Sequence, residues 1–442
     1  MSYDDSYYAR TRTEADVRPP LVGELETEVC VVGGGLAGLN TALGLAEKGI
    51  KTVLIEAARV GFGASGRNGG FVGCGYSQDM GVLEQRLGLD HARGLHDLTR
   101  DALATIRSRI ERHAIDCGPN VSGTLVASWT DNPDGLRRHA EDAHEKYGVT
   151  LDFVARERLV EDYASSPRYF DGLYKAESFQ FHPLNYCLGI ARAAEAAGLK
   201  IFEHTPLVSL EIEQAEKQIE TPRGLIRARH IVLACGGYGP GVLPEVSSAV
   251  LPVATYVMAT APMNDNVLGT AIRKPICIAD TRGAGDYYRA LPDGRVIWGG
   301  RMTVRNSKPP RLAHDMLGDL LKVYPQLEGH AAVETSWMGT MSYARHRMPQ
   351  IGRLREGVWY AQAFGGSGMG TTTVAGDLLA TAIADGDDRY RLFEPFGLTW
   401  AGGPFGRLAA QAIYWSYQAQ DWATARRDFN KRRISTTLEQ GS

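Results

Sequence analysis

The chain has 442 residues, of which 44% are hydrophobic and 22% charged, with a formal net charge of −3. That length and composition describe a folded protein of two or three domains and exclude a disordered chain. The absence of a basic excess excludes a nucleic-acid binder.

In chain order, residues 1–25 form a tail ending in RPP with no periodic pattern. Its polar start lacks the apolar core of a secretory signal, so a cytoplasmic protein is expected. No apolar run reaches the roughly 18 residues of a membrane-spanning helix. TEVCVVGGGLAGLNTALGLAEKGIKTVLIEA then reads as strand, tight turn, helix, strand. Its runs VCVV and TVLI are continuously apolar, as in parallel strands buried on both faces. Residues 90–113 carry Leu95, Leu98, Ile106 and Ile110 near helical spacing and form an amphipathic helix. GTLVASW reads as a strand, GLRRHAEDAHEKYG as a solvated helix, and LNYCLGIARAAEAAG as a helix closed by Gly198. IVLACGG is a buried strand ending on glycines, and DYYRALPDGRVIWGG is a hairpin turning at PDG. LAHDMLGDLLKVYP is a helix, and GVWYAQAFGGSGMGTTTVAGDLLATAIADG is a strand, a glycine-rich turn and a helix. The aromatic tail PFGRLAAQAIYWSYQAQDWATARR is expected to be a helix docked on its own domain, with a partner subunit or a membrane surface as alternative contacts.

The nucleotide-binding pattern returns in pieces at 28–56, 229–237 and 358–385. One parallel-sheet domain therefore assembles from separated segments, with an antiparallel domain inserted between them. The expected boundaries are 26–115, 180–240 and 335–390 for the first, 116–179 and 241–334 for the second, and 391–442 for a helical tail. The scattered Cys30, Cys74, Cys117, Cys187, Cys235 and Cys277 form no CxxC pair and read as reduced structural thiols. The histidines show no metal-ligand spacing, and no metal is expected.

Three glycine-rich loops carry the chemistry. Gly33 to Gly38 fits GxGxxG: Gly33 makes the tight turn, Gly35 lets backbone approach a pyrophosphate, and Gly38 lets helix and strand pack closely. With Leu36 and Ala37, the helix start offers N–H groups and a positive dipole end to phosphate. Glu56 lies 23 positions after Gly33, where an acid hydrogen-bonds a ribose diol and repels a 2′-phosphate. That leaves NAD or FAD. The second loop, VGFGASGRNGG at 60–70, follows at once. A nicotinamide enzyme has no need of it, whereas a flavin and its ribityl chain require donors along their length. Ser65 and the amides around Gly66, Arg67 and Asn68 are the candidate donors, with Gly69 and Gly70 letting the chain pass the ring. The third loop, FGGSGMGTTT, opens a helix whose N-terminus would face the negative charge of reduced flavin.

Together VCVVGGGLAGLNTALGLAEKG, IEAARVGFGASGRNGG, IVLACGGY and FGGSGMGTTT resemble the FAD-dependent D-amino-acid oxidase family, which includes glycine oxidase and sarcosine oxidase. The resemblance spans about residues 25–425. It implies an α/β fold: a discontinuous Rossmann-like FAD-binding domain plus an antiparallel-sheet substrate domain, of glutathione-reductase-like, D-amino-acid oxidase type. It implies non-covalent FAD held by the three loops, extended to Ala57, Gly63 and Ala64, to Val208, to Cys235, Gly236 and Gly237, and to Gly365, Gly366, Ser367, Gly368, Met369, Gly370 and Thr371. It also implies oxidation of a C–N bond in an amine or amino acid by hydride transfer to flavin N5, with hydrolysis of the imine and O2 or an electron carrier as acceptor. The stretches GFGASGRNGG, FHPLNYCLG, DYYRALPDGRVIWGG and FGRLAAQAIYWSY are most similar to members acting on gamma-glutamylated polyamines. Alternatives are a D-amino-acid dehydrogenase, an L-pipecolate or sarcosine-type oxidase, and a non-catalytic flavin-binding subunit. Alternation places Tyr287 and Arg289 on one face of a substrate-lining strand and Tyr288 on the other. One tyrosine is expected to shape the pocket and Arg289 to meet a substrate carboxylate. Arg301 and His346 are further candidates, though a structural histidine is the simpler reading of His346, as it is of His182. The segment WMGTMSYARHRMPQIG holds no cysteine for a covalent flavin link.

Overall fold

The computed structural model describes residues 2–239 and 241–439. Met1, Pro240 and residues 440–442, which fall in the segments assigned above to the N-terminal tail, the FAD-binding domain and the helical tail, lie outside the described residues. The chain divides into two compact units: Met1–Asn120, Phe181–Ala254 and Trp337–Gly406 form the first, and Val121–Gln180, Thr255–Ser336 and Arg407–Ser442 the second.

The first unit is built on the sheet order Gln350–Arg355, Val358–Gln362, Gly224–Leu233, Gly23–Val32, Thr52–Ile55, Lys200–Phe202. The pairs among the last five strands are parallel, with Val32 in register with both Ile55 and Leu233. Cys30, Val31, Val53, Leu54, Ile55, Ile231 and Val232 are all buried. Burial on both faces explains the unbroken apolar runs, and each such side chain contributes roughly 1.5–3 kcal/mol. Two helices, Leu36–Glu47 and Gly368–Asp385, pack against each other. A Cβ on Gly376 would stand 2.4 Å from Asn40 Cβ, and one on Gly44 would stand 2.8 Å from Ala380 Cβ. These glycines set how closely the helices approach. The pairings 40 with 376 and 44 with 380 also show that the helices run parallel, so both N-termini lie at the same end.

The second unit holds a mixed sheet in the order Val296–Thr303, Tyr287–Ala290, Cys277–Asp280, Val121–Ala127, Gly172–Gln180, with Asp152–Val154 beside the last. An antiparallel sheet was expected, but Cys277–Asp280 runs parallel to Val121–Ala127. Two strands distant in sequence meet there without a hairpin, and no local pattern reports such a pairing. The DYYRALPDGRVIWGG hairpin forms as expected, with Gly294 at φ +80 in its turn. The Leu251–Thr260 and Val333–Tyr343 strands span the boundaries between the units.

The segment expected as a patternless tail is instead packed within the first unit. Tyr8 is fully buried against His182 and Trp337. The Tyr3 hydroxyl donates to Val60 O at 2.7 Å, and Thr13 N–H donates to Asn185 Oδ1 at 3.0 Å. Arg18 forms a fork with Glu195 at 2.7 and 2.8 Å. These anchors join residues far apart in sequence, so they leave no periodicity to read. At the other end, Gly403–Glu439 is one helix, of which Arg407 onward belongs to the second unit. Among the described residues no helix is long and apolar enough to cross a membrane.

Candidate active site

The first loop folds as its glycines require. Gly33 has φ +113, and a Cβ there would stand 2.6 Å from Ala234 O. A Cβ on Gly38 would stand 2.0 Å from Gly33 O, so only glycine permits the helix to start this close to the strand. Gly35 precedes the Leu36–Glu47 helix without a side-chain cap of its own. Glu56 turns back onto this loop: Oε2 accepts from Gly34 N at 2.7 Å and Oε1 from Ala58 N at 2.8 Å. Burial pushes its carboxyl above the usual range, against the stabilising effect of those N–H groups. Ala57 beside it is exposed.

The second loop is a scaffold for the first. Gly61 N–H donates to Gly34 O at 2.9 Å. Ser65 Oγ accepts from Leu36 N at 2.9 Å and thus caps the first helix from outside it. A hydroxyl that accepts one N–H keeps its own proton to donate, so Ser65 suits a phosphate oxygen at the helix start. The expectation that amides of this loop serve as free donors is corrected in part. Gly66 N and Arg67 N bond to Gly63 O at 3.3 Å and Ala64 O at 3.2 Å within a short 3-10 turn. Asn68 holds that turn shut: its amide donates to Ala64 O and Ser65 O, and its Oδ1 accepts from Gly70 N at 2.8 Å. Arg67 is buried and paired with Asp4, over the Phe62 ring at 4.4 Å. Its Nη1 fixes the loop through Asp4 and Met338 O, while its buried Nη2 has no hydrogen-bond partner among the described residues. Gly63 gives room to Tyr238, whose ring a Cβ would approach at 3.0 Å.

The third loop matches its expected form. Gly365 has φ +57, and Ser77 Oγ accepts from Gly366 N at 2.9 Å. Ser367 precedes the Gly368–Asp385 helix without a side-chain cap hydrogen bond. Met369, Gly370 and Thr371 are buried, and Thr371 Oγ1 donates back to Ser367 O at 2.8 Å. The first unit therefore presents two parallel helix N-termini, neither capped by its preceding residue, at one end. This is the arrangement that attracts anionic groups.

Of the remaining candidates, Gly236 has φ +55, and Gly237 packs against Thr340, whose Cγ2 a Cβ would approach at 3.1 Å. The Cys235 thiol donates to Val32 O at 3.4 Å, and burial pushes its pKa up to about 12, so it is inert. Val208 N–H donates to Glu220 O at 2.8 Å and its side chain is exposed.

In the second unit, Tyr287 and Arg289 share one face of the hairpin strand. Gly299 opposite makes room for Tyr287, since a Cβ there would stand 2.1 Å from its Cζ. Arg289 is buried, and its Nη1 donates to Gln180 Oε1 at 3.4 Å. Tyr288 is corrected to a core residue. It is fully buried and stacked on Trp298 at 4.3 Å, with its hydroxyl between those of Tyr169 at 2.8 Å and Tyr324 at 2.6 Å. Arg301, at φ +52 and partly exposed, has its guanidinium held by Asp319, with Nη2 to Oδ1 at 3.0 Å.

His346 is structural. Its Nδ1 accepts from Met348 N at 3.2 Å and its other nitrogen contacts Gly397 O at 3.4 Å. Burial lowers its pKa below the ordinary 6.5. A folded-state value below the unfolded one means that protonation favours unfolding. The stability is complete above the unfolded value of about pH 6.5 and is lost as pH falls from there through the lower folded-state value. Thermal midpoints measured from pH 7.5 to 5.5 are expected to drop less steeply in His346→Gln than in the parent. Equal slopes would show that His346 has no part in it.

Sequence reasoning passed over several residues that hold the site. Glu203, fully buried, accepts from Val60 N at 2.8 Å, Arg18 N at 3.0 Å and Arg59 Nε at 3.3 Å. Arg109 donates to Asn40 Oδ1 at 2.9 Å and Asp377 Oδ1 at 2.8 Å, tying together the two helices that begin at the glycine loops. The signal for Asn40 was a polar residue inside an otherwise apolar helix; for Glu203, a lone acid directly after a strand.

A parallel sheet with a glycine turn at its first strand, an acid after the second, and two helix starts at one end that their preceding residues leave uncapped defines a dinucleotide-binding oxidoreductase scaffold. The chain belongs to the FAD dependent oxidoreductase family, whose model matches residues 28–382. It is an FAD-dependent enzyme of the amine- and amino-acid-oxidising group. It is 32% identical over 392 residues to gamma-glutamylputrescine oxidoreductase of Escherichia coli, covering 88% of this chain and 91% of that one. It is 31% identical to a probable oxidoreductase, OrdL, of Haemophilus influenzae over 88% of this chain and 90% of the relative. Among solved structures, glycine oxidase from Geobacillus kaustophilus superposes with a TM-score of 0.70 at 21% identity, over 85% of this chain and 99% of that one. That likeness is one of fold. The glycine cradle fits FAD: Gly33 and Gly38 leave no room for side chains, and Ser65 and Glu56 stand at the helix start.

Proposed function

We propose that this protein oxidises the C–N bond of a gamma-glutamylated polyamine or a similar secondary amine. The observation that carries this reading is the 32% identity to gamma-glutamylputrescine oxidoreductase along nearly the full length of both chains. Bound FAD supplies the two-electron acceptor. The Gly33–Gly38 turn, Glu56 and Ser65 would hold its phosphates and ribose, and the N-terminus of the helix beginning at Gly368 would favour negative charge on the ring. Tyr287 and Arg289 are the proposed substrate residues. Gly299 lets the Tyr287 ring lie across the strand, and Gln180 orients the Arg289 guanidinium. A guanidinium keeps its charge in a protein. It therefore attracts a substrate carboxylate and disfavours an ammonium nearby, which keeps the reacting amine neutral. Six free thiols, most of them buried, fit a reducing cytoplasm.

The test is an anaerobic screen of the FAD-loaded protein against gamma-glutamylputrescine, other secondary amines and amino acids. Bleaching of the visible flavin band by the glutamylated polyamine supports the reading. Bleaching only by another amine overturns the substrate, and bleaching by none overturns catalysis. Readmitted air then separates acceptors: rapid recolouring with peroxide means O2, and slow recolouring means a carrier.

A further inference from the structure

The C-terminal helix Gly403–Glu439 has a face that amine oxidation does not use. Its inner face is docked on the second unit. Gln411 Oε1 accepts from the Thr303 hydroxyl at 3.0 Å, and the Asp421 carboxylate accepts from Gly283 N at 3.0 Å and Ala284 N at 2.9 Å. The opposite face carries Leu408, Ala412, Trp415, Ala419 and Trp422, all exposed, with Leu408 at 68%, Trp415 at 62% and Trp422 at 64%. The steps between them alternate between four and three residues. That is the seam spacing of paired helices, where one helix inserts its side chains between those of another.

We propose that a second copy of this chain docks on this seam, helix against helix and antiparallel, about a two-fold axis near Tyr417. The alternation of large and small side chains sets the direction. In that arrangement Trp415 of one copy meets the partner's Ala419, and Ala412 meets the partner's Trp422. Each indole then faces a methyl group. A parallel pair would set indole on indole and leave gaps between the alanines. Charge agrees: from Leu408 to Ala425 the only charged residue is Asp421, which is turned inward onto two N–H groups. Between Trp415 and Trp422 an approaching copy meets no like charge, and at the seam's end Leu408 meets the stem of the partner's Arg426. Arg407 and Arg426 bound this stretch, with Arg426 over the Trp422 ring at 5.4 Å, but between them the seam has no lysine or arginine to draw an anionic lipid surface, which favours a second copy over a membrane. A buried large aromatic covers roughly 150–250 Å². The exposed parts of the two tryptophans and Leu408 thus give on the order of 1,000 Å² for the pair, at the threshold for a stable interface. A surface that meets itself across a two-fold axis closes at the dimer.

The test uses the full-length, FAD-loaded protein in sedimentation over a dilution series. The parent is expected to be a dimer, and Trp415→Glu/Trp422→Glu a monomer with unchanged FAD content and turnover. Ser416 flanks the seam on the side where an antiparallel pair brings the two copies of that residue together. Ser416→Cys is expected to give a covalent dimer on oxidation that reductant releases, whereas Gln420→Cys, further round the helix, stays uncrosslinked. A monomeric parent, or a parent dimer that the double variant leaves intact, overturns the proposal. So does a monomeric parent that floats with phosphatidylglycerol vesicles, which would assign the face to lipid. Crosslinking at Gln420→Cys but not Ser416→Cys overturns the antiparallel register.

Discussion

Gly35→Val is expected to give a folded protein that has lost its flavin. A Cβ at Gly35 would stand 3.0 Å from Ser65 Oγ, and that hydroxyl sits at the end of a rotatable side chain. The chain therefore tolerates the substitution as a fold. The valine methyls, however, occupy the approach to the helix start, where a pyrophosphate must lie against backbone. They also push aside the Ser65 hydroxyl, which accepts from Leu36 N at 2.9 Å. The FAD dissociation constant should rise by about 100-fold or more, equivalent to ~2.8 kcal/mol. The measurement is FAD content after purification, followed by titration of the apoprotein, with circular dichroism as the control for folding. A variant that keeps a full complement of FAD would falsify the assignment of this turn to the pyrophosphate. Gly38→Val makes a contrast: its Cβ would meet backbone at 2.0 Å, so it should fail to fold rather than fold empty.

Glu203→Ala is expected to be the most destabilising change outside the glycine loops. The Glu203 side chain is fully buried beside Arg18 and Arg59, which are themselves almost fully buried at 9% and 7% side-chain exposure. Its oxygens also accept from Val60 N and Arg18 N. Removing one partner of a buried ion pair costs roughly 3–5 kcal/mol, because the remaining charge stays buried without compensation. Arg18 keeps its fork with Glu195, so the lower end of that range applies. Val60 begins the second glycine loop, and the Tyr3 hydroxyl donates to its carbonyl. Losing Glu203 therefore loosens both the N-terminal segment and the loop that braces the flavin turn. Thermal melting should fall by several degrees, with weaker FAD retention and faster proteolysis near the N-terminus. Glu203→Gln should fall between the variant and the parent, since it keeps the acceptor and loses the charge. An unchanged melting temperature in Glu203→Ala would show that the cluster contributes no net stability.

These two predictions also separate what was readable from what was not. The turn geometry of Gly33, Gly35 and Gly38 and the placement of Glu56 against that turn were legible because both are set within a strand–turn–helix unit, where spacing along the chain dictates spacing in space. Ser65 was legible as part of the second glycine loop but not in its action: it caps a helix that begins 29 residues earlier in the chain. Tyr287, Tyr288 and Arg289 were placed on alternate faces correctly by strand geometry. Alternation cannot say what each face packs against, and for Tyr288 the buried Tyr169–Tyr288–Tyr324 hydroxyl chain decided it. Arg67 and Asn68 looked like ligand-facing residues because polar side chains among glycines often are. Here they tie the loop to itself and to Asp4.

The class of this protein, an α/β flavoenzyme with a split nucleotide-binding domain, was readable from the order of its residues. Glycine placement and unbroken apolar strands are local requirements of backbone geometry and burial, and local requirements are written in consecutive residues. The rest emerged when the chain was folded. The N-terminal segment is packed and not a tail, Glu203 and Arg109 hold the glycine loops and their helices in place, and Trp415 and Trp422 turn away from the unit that carries them. Each of these depends on contacts between residues distant in the chain or on which face of a helix is covered, and neither leaves a period or a motif.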